Sequence, residues 1–527
     1  MRPLAGAYAY EFATIGGCFA GNPADPAAWR EAVTRTQRHG RSHQAIAGII
    51  EAQQLRRGAP PAALGASERL RDPRTVAVVT GQQAGLFGGP LFTLLKSVTA
   101  MRLAERVSAE LRVPAVAVFW VDAEDHDWDE VRSCPVLDAD LQLRTVKLSA
   151  LPGAGELPIG ALRLDGGITA AITELEAALP PTEFTADLFG MLRRAWAPGQ
   201  SMADAFATFL ETTLGPQGLI VFDSCDPAAK ALASPVFVRE LQTHGQTLAL
   251  AAAAGTELAA RGHAPQIEPQ PDGTGLFYLD GGRVPIRKRG DRLAIGDALS
   301  DRDTLVAEAK NHPERFSPNV LLRPIVQDTL FPTVCYVAGP AELAYLAQLQ
   351  GIYQHFSLPM PLIYPRLTAT ILDAASARFL ARYDLPIEEL HSHDESALNR
   401  LLVSQLPPSV EASLQEAIAA MQERMTAVID AVPAIDPTLA GAAKTTLSRM
   451  EHDLRTLHSK IIQAAKRRDD TVRRQFIRAQ AQAFPEGHQQ ERALAGVFFL
   501  NRYGPAIVER ILRELPLDMG RHWVVTV

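Results

Sequence analysis

The feature of this chain that most constrains its fold is an apolar strand that runs directly into a glycine-rich loop. Residues 76–90 read VAVVTGQQAGLFGGP, and the helical pattern LFTLLKSVTAMRLAERV begins at once. The glycines permit a close approach of a ligand or a positive φ, and the helix start offers free N–H groups. The pattern predicts a ligand-facing turn in an α/β fold, and a tight turn without a ligand is the alternative. Its candidate binding residues are Gly81, Gln82, Gln83, Gly85, Gly88 and Gly89.

A second apolar strand ends in an acidic cluster. Residues 116–130 read VAVFWVDAEDHDWDE, so Glu124, Asp125, His126 and Asp127 follow the strand directly. We expect this cluster to share one site with the glycine loop, because parallel strands end at one edge of a sheet. Asp125, His126 and Asp127 are the catalytic candidates, since a histidine among carboxylates has its charged form favoured. A solvated acidic turn or a metal site is the alternative, but no recognised ligand spacing is present and no metal is predicted.

Further polar residues follow a third strand. At residues 337–348, VAGPAELAYLAQ begins a helix at Gly339 and places Glu342 near the positive end of its dipole. Capping of the helix alone would explain why a glycine and Glu342 stand at its start. Because the preceding strand is expected in the same sheet, we nevertheless assign Glu342 and Tyr345 to the site. Three more residues are candidates for binding anionic groups, or equally members of buried ion pairs. They are Arg323, Asp328 and Arg366.

The remaining pattern predicts the domain organisation. Short apolar strands at 219–222, 333–337 and 362–364 extend a doubly wound parallel sheet over residues 1–380, with β-containing insertions at about 133–200 and 252–317. Apolar residues then recur at heptad spacing in two helices within 381–495, which predicts an antiparallel coiled-coil hairpin. Two ordinary amphipathic helices packed on the core are the alternative. Residues 496–527 are expected to return to the core.

Composition excludes several classes of protein. The chain has 527 residues, of which 47% are hydrophobic and 21% charged, as in ordinary soluble globular proteins. A net charge of -7 gives no reason to expect nucleic-acid binding, and no segment predicts a membrane span. The four cysteines are widely spaced without a CxxC, so neither a disulfide framework nor a zinc site is indicated and a cytoplasmic location is expected.

Five blocks of the chain carry a family resemblance. They are TGQQAGLFGGPLFTLLK, VPAVAVFWVDAEDHDWDEV, RPIVQDTLFPTVCYVAGPAELAYLAQL, YPRLTATILD and ERALAGVFFLNRYG. In this order they resemble the cysteine-adding enzymes of bacillithiol biosynthesis, the BshC family of cysteine ligases. The resemblance covers almost the whole chain and implies a Rossmann-like core, two connecting-peptide insertions and a C-terminal coiled-coil domain that forms a homodimer.

The resemblance also implies a reaction. L-Cysteine would be joined through its carboxyl group to the amine of glucosaminyl-malate, giving the low-molecular-weight thiol bacillithiol, with Arg323, Asp328 and Arg366 as candidates for malate or phosphate recognition. A free carboxylate is a poor electrophile, so activation by ATP or another nucleotide, with Mg²⁺, is our hypothesis. The chain lacks the Walker A spacing and HIGH-like or KMSKS-like motifs. Another ATP-dependent amide-forming ligase and a nonenzymatic coiled-coil scaffold are the alternative functions.

Overall fold

The computed structural model describes residues 4–243, 245–391, 395–404, 408–468 and 470–527, with side chains for all of them except 408 and 465–468. The chain divides into two compact units. The core unit comprises Met1–Thr370 and Glu491–Val525, and the helical unit comprises Ile371–Gln490 with Thr526–Val527. Residues 371–380, which we expected in the core, therefore group with the helical unit, and residues 491–495 group with the core unit.

The strands form a parallel central sheet and smaller antiparallel sheets. In chain order they are β1 (Val76–Gln83), β2 (Ala115–Asp122), β3 (Ser133–Leu137), β4 (Leu143–Lys147), β5 (Ile220–Asp223), β6 (Gly273–Leu279), β7 (Arg283–Arg289), β8 (Arg292–Ile295), β9 (Ala298–Ser300), β10 (Phe316–Pro318), β11 (Thr333–Ala338), β12 (Leu362–Pro365), β13 (Thr368–Leu372) and β14 (His522–Thr526).

Helices account for much of both units. Those up to residue 355 are α1 (Leu4–Tyr10), α2 (Pro26–Arg38), α3 (His43–Arg57), α4 (Pro61–Arg69), α5 (Leu91–Leu111), α6 (Trp128–Val131), α7 (Gly167–Ala178), α8 (Thr185–Ala195), α9 (Met202–Leu214), α10 (Pro227–Thr243), α11 (Gln246–Ala260), α12 (Arg302–Asn311), α13 (Arg323–Leu330), α14 (Pro340–Leu346) and α15 (Gln350–His355). The later helices are α16 (Ala374–Arg382), α17 (Ser396–Ser404), α18 (Pro408–Ala431), α19 (Leu439–Arg468), α20 (Asp470–Ala483), α21 (Gln490–Ala493), α22 (Gly496–Tyr503) and α23 (Ala506–Glu514).

The central sheet has the strand order β12-β11-β1-β2-β5, and all its pairs are parallel. The predicted doubly wound sheet is therefore confirmed. The chain proceeds outward from β1 through β2 to β5 and later places β11 on the other side of β1. Such a reversal of strand order leaves a crevice at the carboxyl ends of the strands, where α/β proteins bind ligands.

The glycine loop that follows β1 is packed inside the protein. Gly88 and Gly89 have φ values of 94° and 70°, which other residues adopt only with strain. A Cβ atom at Gly88 would lie 2.3 Å from a ring carbon of Phe209 in α9. The first N–H of α5, from Leu91, donates to the carbonyl oxygen of Leu494, at 2.8 Å. The loop therefore owes its glycines to backbone conformation and packing, and part of the helix N-terminus is closed by another segment.

The two insertions differ in character. The first contains the hairpin β3–β4 together with α7 and α8, so it has more helix than the expected β structure. The second contains an antiparallel sheet with the order β10-β6-β7-β8-β9. Arg283, at the start of β7, carries a side chain that is only 4% exposed, and its guanidinium lies 3.9 Å from a carboxylate oxygen of Asp125. The second insertion thus contributes a residue to the loop after β2.

The helical unit contains the expected antiparallel hairpin. Gln422 of α18 donates to Glu451 of α19 at 2.8 Å, and Glu411 of α18 lies 3.2 Å from His458 of α19. The two helices therefore run in opposite directions. A separate apolar cluster joins residues of α16, α17 and α20. No helix among the described residues is long and apolar enough to cross a membrane.

We predict that Gly88→Ala destabilises the core unit more than Gly155→Ala does. Both glycines have positive φ, at 94° and 85°, but nothing lies within 4 Å of a Cβ atom at Gly155. Gly155→Ala therefore measures backbone strain alone, whereas Gly88→Ala adds an overpacking cost of roughly 1–3 kcal/mol. Urea unfolding monitored by circular dichroism provides the comparison. Equal losses in the two variants would contradict tight packing of the loop against Phe209.

Candidate active site

A cavity of about 480 Å³ lies at the carboxyl ends of β1, β2 and β11. It occupies the crevice that the reversal of strand order creates. Nine of the residues predicted from sequence line it: Gly81, Gln82, Gln83, Asp125, Arg323, Gly339, Glu342, Tyr345 and Arg366. The other predicted residues lie outside its lining: Gly85, Gly88, Gly89, Glu124, His126, Asp127 and Asp328.

One wall of the cavity brings an amide together with carboxylates. The side-chain nitrogen of Gln83 donates to Asp125 at 2.9 Å, and Gln83 also acts to lower the pKa of Glu130. The second oxygen of Asp125 accepts the N–H of His126 at 2.7 Å. Burial acts to raise the pKa of Asp125, but Arg323 and these hydrogen bonds outweigh it and lower that pKa. Asp125 is therefore held as a carboxylate.

His126 and Asp127 flank this wall without lining the cavity. Nδ1 of His126 lies 3.4 Å from the guanidinium of Arg283 and 3.4 Å from Asp125. Asp127 accepts the N–H of Glu130 at 3.3 Å, so its carboxylate serves as the N-cap of α6. Neither side chain faces the cavity that Asp125 lines, although both help to hold the loop that carries it.

A buried lysine organises the floor of the cavity. Lys96 of α5 is 3% exposed, and its ammonium contacts Glu342 at 2.5 Å, the carbonyl of Gly81 at 2.7 Å and the side chain of Gln82 at 3.1 Å. Burial lowers the pKa of Lys96, which Glu342 opposes. Glu342 also accepts the hydroxyl of Tyr336 at 2.9 Å and the N–H of Gly339 at 2.6 Å. Capping thus accounts for only part of what Glu342 does.

A second ion pair lies between β2 and α13. Arg323 donates to Asp122, while Nε of Arg323 and Oδ1 of Asp122 are buried without a hydrogen-bond partner. Burial raises the pKa of Asp122 to about 6; Arg323 opposes this rise, whereas Asp125 and Glu124 add to it. Arg323 is thus a member of an ion pair, as one alternative held, and both side chains line the cavity.

Two arginines meet on one aromatic ring in the cavity lining. The guanidinium carbons of Arg366 and Arg492 lie 5.3 Å and 5.9 Å from the ring centre of Phe92. Arg366 is 2% exposed and donates to Glu491 at 2.6 Å. Arg492 is exposed, and its guanidinium has no ion pair with another described residue. Arg492 therefore offers a free planar donor to an anionic group.

Two predicted residues belong to the protein's supporting structure. Glu124 is 3% exposed and accepts a hydrogen bond from Lys230 at 2.5 Å, and the same ammonium donates to the carbonyl of Phe316 at 2.7 Å. Asp328 accepts hydrogen bonds from Gln327 and from the hydroxyl of Tyr353. Burial raises the pKa of Asp328. These carboxylates connect secondary-structure elements behind the cavity.

Sequence reasoning missed several cavity residues, among them Lys96, Glu130, Tyr336 and Arg492. Lys96 had a usable signal, since a lysine within the apolar helical pattern LFTLLKSVTAM must find partners when it is buried. Lys230 in PAAKALASPVF had the same signal. Glu130 ends the acidic run already noted, three residues beyond Asp127, the last residue of the stretch that we assigned. Arg492 lies in the block ERALAGVFFLNRYG that carries the family resemblance, but nothing in the sequence placed this distant part of the chain at the cavity.

Comparison with known proteins assigns the family. Residues 1–367 match the N-terminal Rossmann-like domain of bacillithiol biosynthesis BshC, and residues 369–527 match its C-terminal coiled-coil domain. The chain belongs to the BshC family. The Rossmann-like core and the coiled-coil domain agree with the parallel sheet and with the helical hairpin described above.

Curated relatives extend over nearly the full chain. A protein of Salinibacter ruber is 34% identical over 99% of this chain and 95% of its own length. Proteins of Symbiobacterium thermophilum and Chlorobaculum tepidum are 32% and 33% identical over 90% and 85% of this chain, and over 88% and 82% of their own lengths. All three carry the name "Putative cysteine ligase BshC".

We predict that Lys230→Met destabilises the core unit by about 3–5 kcal/mol, because it leaves the buried carboxylate of Glu124 without its counter-charge. The double variant Glu124→Gln with Lys230→Met removes both charges and should recover much of this loss. Urea unfolding of the wild type, Glu124→Gln, Lys230→Met and the double variant forms a double-mutant cycle. A Lys230→Met protein within 1 kcal/mol of the wild type, on the order of an ordinary surface substitution, would contradict a structural role for the pair.

Proposed function

We propose that this protein is a ligase that joins the carboxyl group of L-cysteine to the amine of glucosaminyl-malate, forming the amide bond of bacillithiol. The observation that carries the proposal is the charge arrangement of the cavity. Asp125 and Glu130 offer carboxylates to an ammonium group, and Arg366 and Arg492 lie in the same lining. These groups complement the amine and the malate carboxylates of one substrate and the ammonium and carboxylate of the other.

Each wall of the cavity has a role in this proposal. Asp125, which stays ionised, anchors a substrate ammonium. The guanidinium of Arg492 makes bidentate contacts with a carboxylate, while Arg366, held by Glu491, contacts the same Phe92 ring as Arg492. Lys96 fixes Gly81 and Gln82 of β1 so that the cavity keeps its shape before substrates bind.

Formation of an amide from a carboxylate requires an activated carboxyl group, and ATP with Mg²⁺ is the activating reagent that we propose. The glycine loop does not fit a phosphate cradle, because the N–H groups of Gly88, Gly89 and Leu91 donate to Gly85, Leu86 and Leu494. Lys96, Arg323 and Arg366 make the lining cationic, but each is paired with a carboxylate. Phosphate oxygens would therefore be met chiefly by Arg492, which has no ion pair with a described residue.

We also propose that the helical unit mediates a homodimer. Met450 and Leu457 of α19 lie one heptad apart and are 39% and 48% exposed, and Val428 of α18 is 44% exposed. Apolar side chains repeated at this spacing beside a helical seam favour packing against a further helix. A second copy of the hairpin would bury them.

The proposed reaction predicts a product of defined mass. Purified protein incubated with L-cysteine, glucosaminyl-malate and Mg-ATP should give bacillithiol, detected by mass spectrometry. Without ATP the product should be absent, because the cysteine carboxyl would remain unactivated. Product without ATP would support the ligation and refute nucleotide activation. Absence of product in every condition would refute the proposed function.

The proposed dimer predicts that Met450→Glu with Leu457→Glu shifts the protein from dimer to monomer, since two charges cannot be buried unpaired in an apolar interface. Thr445→Glu with Ser459→Glu is the matched control, because these residues are exposed on another face of α19. Light scattering after size-exclusion chromatography measures the mass. A monomeric wild type, or a Met450→Glu with Leu457→Glu protein that remains dimeric, would refute this interface.

A further inference from the structure

We infer that Glu130 is the general base of the ligation and takes the proton from the ammonium group of the amine substrate. The inference rests on the proposed function and adds the residue that makes the amine nucleophilic. An ammonium nitrogen has no lone pair, so it must lose a proton before it can attack a carbonyl carbon. A base for this step must line the cavity, stay accessible and have a free oxygen.

The geometry selects Glu130 among the described carboxylates that line the cavity. Asp125 accepts from Gln83 and from the N–H of His126, and it lies 3.9 Å from the guanidinium of Arg283. Its oxygens are thus engaged by donors that favour the ionised form. Glu130 also lines the cavity, has no ion pair with a described residue, and is exposed. Glu130 can therefore accept a proton that Asp125 cannot.

The other carboxylates of the lining are committed elsewhere. Glu342 accepts from Lys96, Tyr336 and Gly339, which occupies both of its oxygens. One oxygen of Asp122 is bound by Arg323, and the other is buried with almost no exposed surface. A substrate ammonium in the cavity can reach neither group in a form that is free to take a proton.

Asp125, Gln83 and Glu130 line the same cavity, and the amide of Gln83 donates to Asp125 while it also acts on the pKa of Glu130. An ammonium group held by Asp125 would therefore lie close to Glu130. Partial loss of hydration raises the pKa of Glu130, Gln83 opposes this, and Asp127 and Asp125 raise it further. The pKa of Asp125 is lowered, whereas that of Glu130 is raised. Asp125 therefore suits an ionic anchor, and Glu130 suits a base.

The proton balance of the step is simple. The N–H bond of the ammonium breaks, the proton passes to a carboxylate oxygen of Glu130, and the electron pair stays on nitrogen. That pair forms the C–N bond with the cysteine carbonyl carbon, which carries a phosphoryl-type leaving group. The C–O bond to the leaving group breaks, and its oxygen departs with the electron pair. The second amine proton passes to that oxygen or to water, and Glu130 returns its proton to solvent.

The test compares Glu130→Gln with the wild type in the bacillithiol assay, as kcat/KM for the amine substrate across pH. Glu130→Gln should lose about 100-fold or more near pH 7, a typical contribution of a general base. The loss should shrink as pH rises, because the amine then loses its proton in solution. In the wild type, kcat/KM should fall as acid protonates Glu130, and this ionisation should vanish from the Glu130→Gln profile. Glu130→Asp should retain part of the activity.

Asp129→Asn is the matched control, since Asp129 lies on the same short helix, is 89% exposed and pairs with Arg132. This variant should keep the wild-type rate, and thermal unfolding of both variants should match the wild type. A Glu130→Gln rate within threefold of the wild type, roughly the effect of a surface substitution, overturns the inference. So does a loss that is constant with pH, or one confined to KM. A wild type that makes no amide instead refutes the proposed function, and the assignment of Glu130 falls with it.

Discussion

The structure around the cavity depends on one buried positive charge. The ammonium of Lys96 sits in a helix whose neighbouring residues are buried, so it must be fully hydrogen-bonded to remain there. Its three partners belong to two elements: Gly81 and Gln82 lie on β1, and Glu342 lies on α14. Because Glu342 in turn binds Tyr336 of β11, the same network spans the point where the strand order reverses. A single lysine thus fixes the floor of the cavity.

The cavity wall that carries Asp125 is also approached by a residue from outside the central sheet. Arg283 comes from β7 of the second insertion, and it is buried against Phe277, with 3.8 Å between its guanidinium carbon and the ring centre. It also donates to Ser317 and to the carbonyl of Pro318 in β10, so its position is set by the inserted sheet. From there it faces Asp125. The second insertion therefore adds to the lowering of the Asp125 pKa, after the larger effects of Arg323, Gln83 and the N–H of His126.

The sequence predicted the sheet and the edge that carries the site, but not how each side chain is used. Hydrophobic runs followed by polar residues identified β1, β2 and β11, because parallel strands leave their carboxyl ends together. Roles were harder, since they depend on contacts between distant segments. Glu124 and Asp125 are adjacent in the chain, yet one is paired with Lys230 behind the cavity and the other lines it. The local sequence pattern cannot predict these different roles, because Glu124 pairs with Lys230 of α10 and Asp125 binds Gln83 of β1.

The glycine loop shows that one pattern can have two physical sources. Glycines that fit a phosphate-binding turn also fit a packed turn, and here the N–H of Leu91 is used within the protein. Any anionic group in the cavity must then be balanced by side chains. Lys96, Arg323 and Arg366 are each already paired with a carboxylate, so they orient a ligand more than they attract it. We therefore expect the charge of an anionic substrate to be met chiefly by Arg492, which the helical segment after residue 490 delivers to the site.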